Sequence, residues 1–77
     1  MRDEKHLKVT LKYWRKRRGK SIEQLAKEAR VSSATISKIE REGILPRTDV
    51  LARLTQALGI TLEELVVDET EEEVSAA

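Results

Sequence analysis

The sequence predicts an all-α protein, a compact bundle of five short helices joined by tight connections. Three observations carry that prediction. Aliphatic residues recur at helical spacing, with no convincing period-two run among them. Ser or Thr stands at the start of most apolar segments (Ser21, Ser32, Thr48, Thr61), and Gly19, Gly43, Pro46 and Gly59 punctuate their ends. The 77 residues allow one domain at most, near the lower size at which a core holds without staples, and there is no cysteine, which excludes disulfides and thiolate metal sites.

The elements follow in order. Leu7, Leu11 and Trp14 fall at i, i+4 and i+7, which predicts a first helix; Arg15 to Arg18 suit its C-terminal end before Gly19 stops it. Ser21 with Gln24 reads as a capping box opening a second helix, whose buried face is Ile22, Leu25, Ala26 and Ala29 and which stops near Arg30 after about two turns. Ser32 caps a third helix. At about 100° per residue, Ile36 and Ile39 point inward with Thr35 beside them, while Ser33, Ala34, Ser37, Lys38 and Arg41 fall within an opposite arc of about 140°. After the EGILP connection, Thr48 and Asp49 offer a fourth start, with Leu51, Leu54 and Leu58 on one stripe up to Gly59. Thr61 with Glu64 makes a second capping box, opening a short fifth helix with Leu62, Leu65 and Val66. Residues 1–67 are thus expected to form the domain. Residues 68–77, DETEEEVSAA, read as an acidic, disordered tail too charged to bury anything.

The net charge of +1 conceals a strong asymmetry. All 15 Lys and Arg lie before residue 54; residues 1–60 carry a net +8, and residues 61–77 a net −7. A basic body with an acidic tail suggests a polyanion-binding face and a segment that repels or competes with the polyanion; a solvated surface with a solubilising tail is the bland alternative. No run approaches the length of a membrane span and no signal-peptide pattern opens the chain, so the expectation is a cytoplasmic protein, nucleoid-associated if its source is bacterial or phage. Trp14 reads as core and Tyr13 as half exposed; with these two aromatics and no strands, single-strand RNA modules fit poorly. Ile44 and Leu45 are expected to pack onto the domain, with a partner contact as the lesser alternative. The lone His6 reads as solvent-exposed, no nucleophile has a base beside it, and neither a catalytic nor a metal site is expected, nor any cofactor.

The connection between helices two and three is so short that they must cross at a large angle, as in a helix-turn-helix. Ala26 is small where the crossing needs close approach, Val31 can plug the turn, and Ile36 and Ile39 lock helix three to the others. Its outer face is then free to enter a major groove.

At this point the sequence resembles a known family. GKSIEQLAKEARVSSATISKIERE is similar to the helix-turn-helix of the Cro and phage-repressor class, the XRE family. The likeness extends over residues 7–66, from LKYWRKRRG through PRTDVLARLTQALGITLEELV, with the motifs in order and at family spacing. It implies a lambda-repressor-like five-helix fold, with the helix-turn-helix in helices two and three, binding double-stranded operator DNA as a homodimer. It also implies DNA contacts from Ile22 at the start of helix two, from Ser32, Ser33, Ala34, Ser37, Lys38 and Arg41 on helix three, and from the 43–47 loop. Arg15 and Glu40 take the positions of an interhelical ion pair.

Three departures from the family's pattern, at four positions, matter. Ile22 stands where Gln often touches phosphate, Arg30 where the turn usually has Gly, and Ser33 and Ala34 where larger base readers are common. Of the groups at hand, Lys38 can reach guanine O6 or N7, Ser33 and Ser37 donate or accept, and Ala34 can touch a thymine methyl. Lys12, Arg18, Lys20, Arg30 and Arg41 are expected near phosphate, and Arg47 in an adjacent minor groove. Leu62, Leu65 and Val66 are expected to divide between core and dimer seam. The reading is a transcriptional regulator, a repressor in preference to an activator. The alternative is the same fold used as a protein-interaction module, with a protein partner in place of an operator.

Overall fold

The computed structural model describes residues 7–68; His6 and the acidic tail from residue 69 onward lie outside the described residues. Five helices are present among the described residues: α1 (Leu11–Arg17), α2 (Ile22–Ala29), α3 (Ser33–Glu42), α4 (Thr48–Leu58) and α5 (Leu62–Leu65). Two three-residue strands, β1 (Leu7–Val9) and β2 (Val66–Asp68), pair antiparallel with Leu7 opposite Asp68 and Val9 opposite Val66.

That small sheet corrects the reading of both ends. Leu7 belongs to β1 and not to the first helix, because Val9 and Thr10 are β-branched, which favours extended backbone. Thr10 precedes α1 without capping it; its hydroxyl instead bonds the carbonyls of Glu64 (2.9 Å) and Leu65 (3.0 Å), and its N–H donates to the Leu65 carbonyl. At the other end the consecutive Val66 and Val67 stop α5 and open β2, so Val66 leaves the fifth helix and Asp68 is a strand residue.

The caps explain most helix limits. Ser32 accepts from the Thr35 N–H, and Thr61 with Glu64 forms the reciprocal box in full. Ser21 accepts from the Gln24 N–H, but the Gln24 side chain turns to Glu28 and does not return the bond, so that box is half formed. Thr48 does not cap α4: it is the first helical residue, behind Arg47, which offers no side-chain bond. Gly43 and Gly59, both at φ 68°, close α3 and α4 in the left-handed conformation; no atom lies where a Cβ would go, so glycine is required there by backbone and not by space.

The core is aliphatic. Leu11, Leu25, Ile36, Ile39, Leu54, Leu58 and Leu65 are fully buried, with Ala26, Ala29 and Leu51 joining them. Each large side chain so buried contributes about 1.5–3 kcal/mol, which helices this short need because none is stable alone. α2 is the central element, packed on both α3 and α4, with α1 against α3 and α5 against α4. Trp14 is half-buried against this core and its Nε1–H donates to the Glu64 carbonyl at 3.1 Å, while Tyr13 packs edge-on to it and stays exposed.

Candidate nucleic-acid interface

The crossing of α2 and α3 begins at Arg30. This residue adopts φ 61° and ψ 43°, and its N–H and that of Val31 both turn back to the Ala26 carbonyl. The chain reverses within two residues, Val31 packs half-buried against the core, and Ser32 caps the next helix. A non-glycine residue in this conformation costs roughly 1 kcal/mol, and the cost is accepted here with a basic side chain left at the surface.

α3 is then anchored from within and from its end. Ile36 and Ile39 are buried among residues of the shared core. Glu40 receives two bonds from Arg15 of α1, Nε to Oε2 at 2.6 Å and Nη2 to Oε1 at 3.1 Å. The third arm of Arg15 donates to the Lys20 carbonyl at 2.8 Å, so one guanidinium ties α1, the α1–α2 connection and α3 together. The hydrogen-bonded Glu40 carboxylate raises the Arg15 pKa above its ordinary value, against the opposing effect of burial. Such a fork fixes orientation as well as adding energy.

Anchored this way, α3 presents Ser33, Ala34, Lys38 and Arg41 to solvent. Ser37 is half-buried, so it is less available than the helical arc suggested. Ser32 spends its hydroxyl on the Thr35 N–H and on the Thr35 hydroxyl at 2.8 Å. Arg41 is held only by a 3.5 Å contact to its neighbour Glu42, and Lys38 has no ion pair among the described residues. The surface is small at its N-terminal end and basic beyond, a shape that a major groove admits.

The flanking residues divide. Lys12 and Arg30 are exposed, and the Arg47 side chain is 86% exposed with a 3.5 Å contact to Asp49. Arg18 and Lys20 are engaged elsewhere in the domain. The Arg18 Nε donates to the Leu58 carbonyl at 2.7 Å, satisfying an end of α4, and its guanidinium lies 5.3 Å from the Trp14 ring centroid. Lys20 pairs with Glu28, whose pKa that bond lowers. Ile22 packs half-buried on the core, leaving the backbone at the start of α2 as the group that can face an anion there. Ile44 and Leu45 are exposed, where packing onto the domain was expected, because left-handed Gly43 turns the 43–47 connection off the end of α3. Leu65 is wholly inside the monomer and Val66 is packed against the same core, so of the three residues expected to divide between core and dimer seam Leu62 alone, at 53% exposure, offers substantial surface.

Arg53 escaped the sequence reading. From α4 its Nη1 donates to the Arg30 carbonyl at 3.4 Å, and with Glu28, Ala29, Arg30, Gln56 and Ala57 it lines a shallow cleft behind the turn. No local signal could have joined residues 23 apart.

Among the described residues no cluster of His, Cys, Asp or Glu could hold a metal ion, and no helix is long and apolar enough to cross a membrane. No curated protein matches the chain in a sequence comparison. The family model HTH_3, described as helix-turn-helix, matches residues 11–65, from the first residue of α1 to the last of α5. With the turn, the anchored third helix and that match in agreement, the chain belongs to the XRE-type helix-turn-helix family of DNA-binding regulators.

Proposed function

We propose that the protein is a transcriptional repressor that occupies operator DNA as a homodimer in the cytoplasm or nucleoid. The observation that carries this reading is the exposed face of α3, held rigid by two buried isoleucines and the Arg15–Glu40 fork. Ser33, Ala34, Ser37 and Lys38 read base edges, with Lys38 the residue able to discriminate guanine. Lys12, Arg30, Ser32, Arg41 and the backbone N–H groups at Ile22 position the protein on phosphate, and Arg47 enters the neighbouring minor groove. Arg18 and Lys20 contribute to phosphate binding only through surface charge, since each has an internal partner. Small readers give modest direct discrimination, so half-site spacing of about 34 Å and DNA shape supply much of the selectivity. Bound protein represses by excluding polymerase.

One observation favours a second reading, the interaction module: Ile22 faces the core and Ser33 and Ala34 cannot make two-pronged base contacts. Selection of duplexes from a random library at about 0.1 M salt separates the two. An inverted repeat identifies a dimeric sequence reader. Failure to recover a motif from well-folded protein moves the assignment to a non-specific DNA binder or to the module. If Lys38→Ala weakens every duplex equally, its base-reading role is refuted and it is a phosphate contact.

A further inference from the structure

The cleft behind the turn, lined by Glu28, Ala29, Arg30, Arg53, Gln56 and Ala57, has a volume of about 500 Å³. Sites for small molecules occupy ~300–1,000 Å³. Its cations are uncommitted and its anion is not. Arg30 and Arg53 form no ion pair among the described residues, whereas Glu28, the one carboxylate of the cleft, is held by Lys20 and also accepts from Gln24 Nε2. The bond from Arg53 Nη1 to the Arg30 carbonyl, at 3.4 Å, keeps the α4 guanidinium beside the turn, and it is the one bond that side chain makes among the described residues. Glycine would relax the left-handed backbone at Arg30, and strain of this kind clusters where ligands bind.

These groups select a ligand chemistry. A guanidinium is a planar fork that matches one carboxylate through two parallel N–H···O bonds, and the cleft has two such forks, Arg30 from the turn and Arg53 from α4. The Gln56 amide supplies a further donor. Ala29 and Ala57 belong to or pack against the core and give the cleft its apolar part, which suits a short run of methylenes. Glu28, its charge already matched by Lys20, discourages a third negative group.

We propose that this cleft is a binding site for a short-chain dicarboxylate, with one carboxylate on Arg30, the other on Arg53 and Gln56, and the methylenes over Ala29 and Ala57. The ligand bridges the turn to α4 and therefore favours the folded state. It also takes the Arg30 guanidinium away from the phosphate contact assigned to it above, so it weakens the hold on DNA. That consequence rests on the DNA-binding reading; the site itself does not.

The test titrates the full chain with succinate at constant ionic strength, following the Arg Nε–H and Gln amide NMR signals, with propionate and inorganic phosphate as comparisons. The expected result is saturating shifts at Arg30, Arg53 and Gln56 with a Kd of about 1 mM, a weak affinity suited to an open cleft, and a melting temperature that rises with succinate. Propionate, with a single carboxylate, should bind at least about fivefold more weakly, since it fills one fork of the two. Arg53→Gln and Arg30→Gly should each weaken succinate by a similar factor, circular dichroism showing that both are folded. Shifts spread equally over Arg41 and Arg47, phosphate binding as tightly as succinate, or undiminished affinity in the two variants overturns the proposal. Duplex affinity at matched ionic strength should fall about fivefold when succinate saturates the site, the loss of one phosphate contact; an unchanged value overturns the regulatory consequence. If the protein binds no duplex at any salt, the DNA-binding reading is what has failed, and the shifts at Arg30 and Arg53 still decide the site.

Discussion

Replacing Arg30 by glycine should make the protein more stable while weakening its hold on DNA. Arg30 is the one non-glycine residue at positive φ among those described, at φ 61° and ψ 43°. The left-handed conformation costs an L-residue about 1–2 kcal/mol. Glycine escapes that cost but loses about 0.5–1 kcal/mol more backbone entropy on folding. The difference favours glycine by about 0.5–1 kcal/mol. Nothing else in the turn changes, because the bonds that Arg30 makes there are main-chain ones, its N–H to Ala26 and its carbonyl to Arg53. For a domain of this size the gain is a rise in Tm of about 2–8 °C. Thermal melts by circular dichroism on the parent, Arg30→Gly and Arg30→Ala measure it, the alanine variant keeping the strained backbone while losing the charge. A glycine variant melting no higher than the alanine one refutes the reasoning. On DNA both variants should lose one phosphate contact and shrink the salt slope by about 0.9.

Three further outcomes are expected. Arg15→Ala leaves the Glu40 carboxylate, whose side chain is 8% exposed, without its partner, and should cost about 3–5 kcal/mol in denaturant unfolding; a loss under 1 kcal/mol means that water replaces the fork. Glu28, whose pKa the Lys20 ammonium lowers, should stabilise the fold above the unfolded-state carboxylate pKa and cease to do so as pH falls through its folded value. The stability gap between the parent and Glu28→Gln should therefore close on acidification, and a gap independent of pH refutes that role. Leu62→Glu should dissociate the proposed dimer in sedimentation without lowering the melting temperature of the monomer, since Leu62 lies outside the core; a dimer that survives the substitution excludes α5 from the seam.

The parts legible in the sequence are those written in local chemistry. Helical spacing located Ile36 and Ile39, the caps at Ser21, Ser32 and Thr61 located three helix starts, and the family spacing put Arg15 within reach of Glu40. What escaped was decided by residues far apart in the chain. Leu7 fits a helical stripe as well as a strand, and only pairing with Val66–Asp68 selects the strand. Arg18 and Lys20 carry the same charge as Lys12, yet the first finds the end of α4 and the second finds Glu28, so composition alone could not separate bound cations from free ones. Leu65 and Leu62 share one short helix and differ completely in exposure, because a single turn has one inward position.

The contacts that join the two ends of the chain also bear on the order of assembly. Thr10 reaches Glu64 and Leu65 across 54 and 55 residues, and Trp14 reaches Glu64 across 50. α2 and α3, in contrast, meet across a turn of a few residues. Closing the longer loop sacrifices more chain entropy, so the reading unit is expected to form first and the clasp between the termini last. Interactions absent from the transition state govern how quickly the native state comes apart and not how quickly it forms. Weakening the clasp, by Thr10→Val for instance, should therefore shorten the lifetime of the folded protein while leaving its refolding rate unchanged.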